Sequence, residues 1–204
     1  MARTDTSTAS AAVRLRELAR SDLDAINRWR NDPDVVALLG GSFRHVCMTV
    51  DERWYESYLA NRATNVRLAI ELGDGTMVGA VYLVGIDWLN RSAEFAIWIG
   101  DAASQGKRVG EAATRLMLAH AFDDLNLERV HLTVLGHNER AIRLYRKVGF
   151  VEEGVLRRAA FKGGQYRDLL AMALLRDEHA AMRAAAPASP AGTQASSAAA
   201  KGSP

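Results

Sequence analysis

The feature that most constrains this chain is the run from Glu94 to Gly110, where an alternating apolar segment passes through a turn rich in glycine and cations into a helix. Glu94-Phe95-Ala96-Ile97-Trp98-Ile99-Gly100 has the period of a strand, with Phe95, Ile97 and Ile99 on one face and Glu94, Ala96 and Trp98 on the other. Gln105-Gly106-Lys107-Arg108-Val109-Gly110 supplies the turn and the start of the helix. Such a turn can aim several backbone N–H groups at one point. The helix behind it adds its free N–H groups and its positive dipole end. That combination is a place for a pyrophosphate.

Around this run the chain reads as a mixed sheet. Val13-Arg14-Leu15-Arg16-Glu17-Leu18 alternates as a first strand. Ser21 is a good N-cap for a helix carrying Leu23, Ile26, Trp29 and Arg30. Asp32-Pro33 restarts a helix that Gly40-Gly41 ends, and Thr49 with Glu52 predicts a capping box for a third. Val66–Leu72, a turn at Gly73-Asp74-Gly75, and Met77–Ile86 read as a hairpin, and Asn90-Arg91-Ser92 turns into the strand through Ile99. The helix after the glycine turn runs to about Asp124, with Ala112 or Ala113, Leu116, Met117, Ala119 or His120, and Phe122 as its core face. Arg129–Val134 is a further buried strand, Asn138 caps a helix that ends at Gly149, and Phe150–Leu156 and Tyr166–Leu175 close the sheet. The order is β-α-α-α-β-β-β-α-β-α-β-β. Three hairpin-connected strands followed by βαβ indicate a mixed α/β (α+β) sheet.

Composition narrows the function classes. The 204 residues suit one domain, placed at 12–183, between expected disorder at 1–11 and in the Ala/Ser/Pro-rich stretch 184–204. A net charge of +2 from 26 basic and 24 acidic residues gives no case for nucleic acid as a partner. The five histidines show no ligand spacing, so no metal site is expected. One cysteine, Cys47, excludes an internal disulfide. No apolar run approaches the roughly 18–20 residues of a membrane span and no secretory leader is visible, so a soluble cytoplasmic protein is expected. A P-loop reading fails because no Ser or Thr follows a Gly-Lys pair in the turn. A dinucleotide-binding reading fails because three antiparallel strands precede the turn and G-x-G-x-x-G is absent.

A second motif settles which family the pattern resembles. Asn138-Glu139-Arg140-Ala141-Ile142-Arg143-Leu144-Tyr145-Arg146-Lys147-Val148-Gly149-Phe150 matches N-x-x-A-x-x-L-Y-x-K-x-G-F at every fixed position. Ser92–Ile99 resembles a central strand, and Gln105–Gly110 resembles an acyl-CoA loop of the form Q/R-x-x-G-x-G/A. Together, over residues 13–176, these resemble the GNAT superfamily of N-acetyltransferases, in the branch of ribosomal-protein, spermidine and amino-sugar enzymes. The resemblance implies a mostly antiparallel seven-stranded sheet flanked by helices, with a V-shaped splay between two parallel strands. It implies direct acetyl transfer from acetyl-CoA to an amine, with no metal, and is compatible with a homodimer.

The resemblance also assigns roles. Tyr145 would protonate the departing thiolate and Glu94 would take the amine proton through a water or hold a cationic acceptor. Gln105, Gly106, Lys107, Arg108, Val109 and Gly110 would hold the pyrophosphate, mainly by backbone N–H. Ile97, Trp98 and Ile99 would meet pantetheine as a pseudo-strand, and Asn138 would both cap its helix and hydrogen-bond pantetheine. His120, His131, His137 and Cys47 are read as structural or passive. Arg108 departs from the pattern, standing where the first loop glycine is usual. Either the loop needs no positive φ there or it is reshaped, and the guanidinium is also placed to contact a CoA phosphate.

The acceptor is expected at the N-terminal helices and the loop after Leu156. Trp29-Arg30-Asn31-Asp32-Pro33-Asp34-Val35 resembles a segment of GNAT enzymes that acetylate amino sugars and, more loosely, protein N-termini. With Arg44, His45, Arg53, Trp54 and Tyr55 it marks where an acceptor would be handled; Trp29, Arg30, Asn31, Trp54 and Tyr55 are the candidate acceptor residues. Phe161–Asp168 resembles spermidine acetyltransferases, although a polyamine calls for an acidic pocket and this region mixes acids with arginines. The acceptor is thus a small-molecule, sugar or peptide amine. A non-catalytic acyl-CoA-binding module on the same fold is the alternative.

Overall fold

The computed structural model describes residues 12–185. In chain order these form β1 (Val13–Glu17), α1 (Leu23–Arg30), α2 (Pro33–Ala37), α3 (Met48–Ala60), β2 (Val66–Leu72), β3 (Met77–Asp87) and β4 (Ser92–Ile99). There follow α4 (Val109–Ala119), β5 (Arg129–Leu135), α5 (Glu139–Lys147), β6 (Val151–Lys162), β7 (Gln165–Leu175) and α6 (Arg176–Ala185). The strands make one sheet in the order β1-β2-β3-β4-β5-β7-β6. Every neighbouring pair is antiparallel except β4 and β5, which α4 joins by a crossover. The expected mixed, mostly antiparallel sheet is therefore present.

Two apolar layers hold the sheet. On one face Phe95, Val81 and Leu83 pack under Ala113, Met117 and Phe122 of the α4 segment and under Ile142, Tyr145 and Val148 of the α5 segment. On the other, Ala69 and Trp98 meet Leu23 and Ile26 of α1 and Tyr55 and Tyr58 of α3. The first layer is the larger. The second is closed partly by charge: Glu71, only 4% exposed, receives Arg14 and Arg16, and Arg16 also reaches Asp22 at 2.8 Å.

Several local expectations shift. Ser21 lies inside a 3-10 turn, and the α1 entry is fixed by Asp22, whose carboxylate accepts the Ala19 N–H at 2.8 Å. Cys47, not Thr49, begins α3: Asn27 and Asn31 clamp Val46, so the chain turns at the next residue and the Cys47 carbonyl receives the Val50 and Asp51 amides. Thr49 then falls within the first turn, and no capping box forms. The buried face of α4 is Ala113, Met117 and Ala121 with Leu118 and Phe122, the row one step from Leu116, which is 43% exposed. The helix widens into a π turn at His120–Asp124. The segment after Leu156 is not a loop. It continues β6 to Lys162 through a bulge, and Asp168 holds the Arg158 amide at 2.7 Å where Arg158 takes φ 53°.

The helix α6 went unread in the sequence. Met182 packs on Gly149, where a Cβ would overlap its sulfur, and His179 stacks on Phe122 with ring centroids 4.8 Å apart. The proposed domain end at 183 thus falls inside a helix. Of the disorder expected at 1–11 and 184–204, residues 184 and 185 instead end α6, and residues 1–11 and 186–204 lie outside the described residues.

Candidate active site

The site begins where β4 and β5 part. Their parallel pairing covers Ser92↔Arg129, Ala93↔Val130 and Glu94↔His131 and then stops. Past Glu94, β4 keeps β3 as a neighbour as far as Gly79↔Ile99, but its other edge has no strand partner. An unpaired edge offers N–H and C=O groups in ladder spacing to an extended ligand. Through this splay runs a cavity of about 790 Å³, lined by Glu94–Ile99 of β4 and Thr133, Val134 and Leu135 of β5. The Ile99 carbonyl is partly used within the protein, accepting from Gln105 Nε2 at 3.2 Å.

Tyr145 stands at the splay. The α5 helix starts where Asn138 Oδ1 accepts the Ala141 N–H at 3.2 Å, and it ends at Gly149, whose φ of 105° is the left-handed stop that glycine takes freely. The Tyr145 ring is wedged edge-on against Phe95 (6.2 Å) and Phe150 (5.7 Å) and is 8% exposed. Its hydroxyl makes no hydrogen bond to any described residue. Burial raises its pKa to about 12, so the phenol holds its proton at neutral pH and can donate it. Glu94 is exposed at the cavity wall and pairs with no described cation; the nearby Arg91 bonds Glu128 at 2.5 Å instead.

The glycine turn forms a cradle. Ala112 is the first helix amide with a carbonyl partner, Arg108, at 3.0 Å. The amides from Gly106 to Glu111 bond no other described residue. Gln105, Gly106, Arg108, Val109 and Gly110 line the cavity; Lys107 is exposed and does not. Arg108 takes φ 63°, ψ 7° as the residue before α4. The loop does need positive φ at this position, and an arginine adopts it, at a cost of about 1–2 kcal/mol that glycine would not bear. Val109 contributes backbone only, its side chain being buried in the core. Such a row of amides at a helix N-terminus fits a pyrophosphate.

At the other end the wall is aromatic and cationic. Ile26 and Arg30 of α1, Trp54 of α3, Arg67 of β2, Tyr82 of β3 and Trp98 of β4 line it. Arg30 pairs with the fully buried Asp51, which also accepts from Asn27 Nδ2 at 2.7 Å. Tyr82 accepts from Trp98 Nε1 at 3.3 Å, and burial pushes its phenol up to about 12. Leu38 to Gly41 roof the cavity. Asn138 Nδ2 donates to the Leu38 carbonyl at 3.2 Å, and Lys162 donates to the carbonyls of Val36 and Gly41. The Asn138 amide is thereby engaged in both a cap and a strut.

Not every candidate reaches the cavity. Asn31 spends its amide on Asn27 and Val46. Tyr55 is 9% exposed in the core, with its hydroxyl on the Leu18 carbonyl at 3.4 Å. Trp29 sits behind the wall, edge-on to Trp98 at 5.6 Å, and Gly100 is glycine because a Cβ there would overlap the Trp29 ring. Arg44, His45 and Arg53 do not line the cavity, nor does any residue from Arg157 to Asp168. Conversely, Arg67 and Tyr82 were not picked out in the sequence, nor were Arg140, Arg143 and Lys147 beside the cradle. The last three recur at helical spacing on α5, a signal the sequence does carry.

Comparison with known proteins fits this geometry. A family model described as an acetyltransferase (GNAT) domain matches residues 12–151. The spermidine N(1)-acetyltransferase of Escherichia coli (strain K12) is 32% identical over 170 residues, 83% of this chain and 89% of that protein. The spermidine N(1)-acetyltransferase of Vibrio cholerae is 31% identical over 172 residues, 83% of this chain and 96% of that one. A crystal structure of spermidine N-acetyltransferase from Vibrio cholerae in complex with CoA and spermine superposes with a TM-score of 0.78 at 30% identity, covering 82% of this chain and 98% of that chain.

Proposed function

The chain belongs to the GNAT acetyltransferase family, and on that premise we propose that it moves the acetyl group of acetyl-CoA directly to a small-molecule primary amine, with Tyr145 as the acid at the sulfur. The reaction needs a neutral amine, a polarised thioester carbonyl, stabilisation of the oxyanion and a proton for the leaving thiolate. In this reading the amides of 106–111 hold the pyrophosphate and the bare edge of β4 aligns pantetheine. Glu94 receives the amine proton through a water or draws in the cationic acceptor. No acyl-enzyme is required, and the one cysteine, Cys47, is exposed outside the cavity.

The observation that carries this reading is the Tyr145 hydroxyl: carried on a ring that is 8% exposed, without a partner among the described residues, and lining the cavity where β4 and β5 separate. Tyr145→Phe keeps the ring packing and removes only the proton. We expect kcat to fall by about 10²–10⁴ with acetyl-CoA binding by calorimetry unchanged. With a phenol pKa near 12, the wild-type rate rises as the amine deprotonates and shows no alkaline fall below about pH 10. A variant with wild-type kcat would remove Tyr145 from the chemistry. The polyamine named for the relatives is one such amine. The proposed compartment is the cytoplasm; among the described residues no helix is long and apolar enough to cross a membrane.

A further inference from the structure

The end of the cavity away from Tyr145 holds a charge that this chemistry does not use. Arg67 lies opposite Tyr82 in the β2–β3 register, and Tyr82 lies opposite Ala96 in the β3–β4 register. The three side chains therefore share the face that also carries Glu94 and Trp98. The Arg67 guanidinium sits 4.8 Å from the Trp54 ring centroid, 4.9 Å from Tyr82 and 5.8 Å from Tyr58. Its Nε is sealed from solvent with no acceptor, and no described carboxylate pairs with it.

Other arginines of the sheet and its turns either pair with a carboxylate or, like Arg157 and Arg158, lie outside this cavity. Arg14 and Arg16 bind Glu71, Arg91 binds Glu128, and Arg129 binds Glu153. Arg167 also has an unpartnered Nε, but it does not line the cavity. Arg67 is thus a desolvated cation in a ligand cavity, and burial lowers its pKa. Among the described residues the carboxylate nearest Arg30, Asp51, is fully buried and already engaged by Arg30 and Asn27, and the one exposed acid on this face, Glu94, stands two residues along β4 from Ala96, where the amine is placed. Two guanidiniums face one spent carboxylate, which disfavours a second ammonium group and favours an anion. A guanidinium fixed on ring faces presents its N–H fork edge-on, the geometry that binds a carboxylate bidentately. Ala96 has no side chain beyond Cβ to narrow the cavity at β4, and two strand spacings put Arg67 and Ala96 about 10 Å apart at Cα, with Tyr82 between them.

We propose that the acceptor carries a carboxylate as well as its amine, as an amino acid or short peptide does, and that Arg67 binds the carboxylate while the amine meets the thioester beside Glu94. This rests on the acetyltransferase reading above. The test is a CoA-thiol release assay on the full chain with matched pairs: α-, γ- and ε-amino acids, a dipeptide, the carboxamide of each, and spermidine. At least one acid should exceed its own amide by about tenfold or more in kcat/KM. Arg67→Met should bring that ratio near one, chiefly through KM, and Arg67→Lys should keep part of it. The thermal shift given by acetyl-CoA reports that each variant is folded and should not move. If Arg67→Met fails to fold, the wild-type ratios and Arg67→Lys decide. Amides or spermidine matching or beating every acid would overturn the proposal while leaving the acetyltransferase reading intact, as would an Arg67→Met ratio equal to wild type. No turnover of any amine together with no acetyl-CoA shift would instead sink both.

Discussion

On the β5 side of the cavity the strand walls are apolar and the bare β4 edge and the cradle offer backbone groups, with the Tyr145 hydroxyl and the cations Arg108, Arg140, Arg143 and Lys147 at their margin. On the α3 side the walls are rings stacked on guanidiniums, and the polar groups belong to side chains. The first region is built from three short stretches, 94–111, 133–135 and 138–147. The second draws Ile26, Arg30, Trp54, Arg67, Tyr82 and Trp98 from five elements. A backbone-made site survives most surface substitutions, because any residue supplies an N–H. A side-chain-made site changes its ligand when one residue changes. The fold can thus keep its acyl donor while its acceptor drifts.

The comparison breaks most visibly at Phe95. This ring is 2% exposed and lies under both Tyr145 and Phe150. Its side chain joins the apolar wall to the main core. Phe95→Ala should cost about 3–5 kcal/mol in denaturant unfolding, and acetyl-CoA affinity should fall with it as Tyr145 loses its support. A cost under about 1 kcal/mol would mean the acyl wall is not continuous with the core, and that the two regions are less unlike than described.

The charged region answers to a different substitution. Asp51→Asn keeps the shape but removes the charge facing Arg30, whose side chain is one-third exposed. Because water can compensate Arg30 in part, the expected loss is about 1–3 kcal/mol rather than that of a fully buried pair. Acetyl-CoA affinity should stay at the wild-type value, since nothing in the cradle touches Asp51. A drop in that affinity would show the two ends to be coupled through α1.

The same contrast explains what could be read from the sequence. Strands β1 to β5, the Asn138 cap and the left-handed stop at Gly149 are encoded in periodicity and in single-residue preferences. They involve neighbours in the chain, and they came out close to where the pattern put them. The aromatic and cationic end, proposed for the acceptor, depends on register. That Arg67, Tyr82 and Ala96 form one row follows only from knowing which residue of β2 faces which of β3 and β4. Asn31 and Tyr55 look like ligand-handling residues by type, but Val46 and the Leu18 carbonyl claim them. The capping pattern at Thr49 and Glu52 failed for a related reason, since Asn27 and Asn31, far back in the chain, decide where α3 begins.

The smallest effect concerns Arg108, where the backbone-made region carries a side chain it does not need for shape. At φ 63° a non-glycine residue costs about 1–2 kcal/mol, while glycine would add about 0.4–1 kcal/mol of freedom to the unfolded chain. Arg108→Gly should therefore stabilise the protein by about 0.5–1 kcal/mol, a melting shift of about 1–4 °C for a chain of this size. If strain were the whole account, nothing would favour arginine here. The guanidinium lines the cavity at the N-terminus of α4, beside Arg140, Arg143 and Lys147. There a charge-assisted contact to a bound phosphate would outweigh the strain only with ligand present. The KM for acetyl-CoA in Arg108→Gly should accordingly rise about 3–10-fold even as the free protein melts higher. A variant that is more stable with an unchanged KM would place the whole of phosphate binding on the amides and make the cradle purely a backbone device.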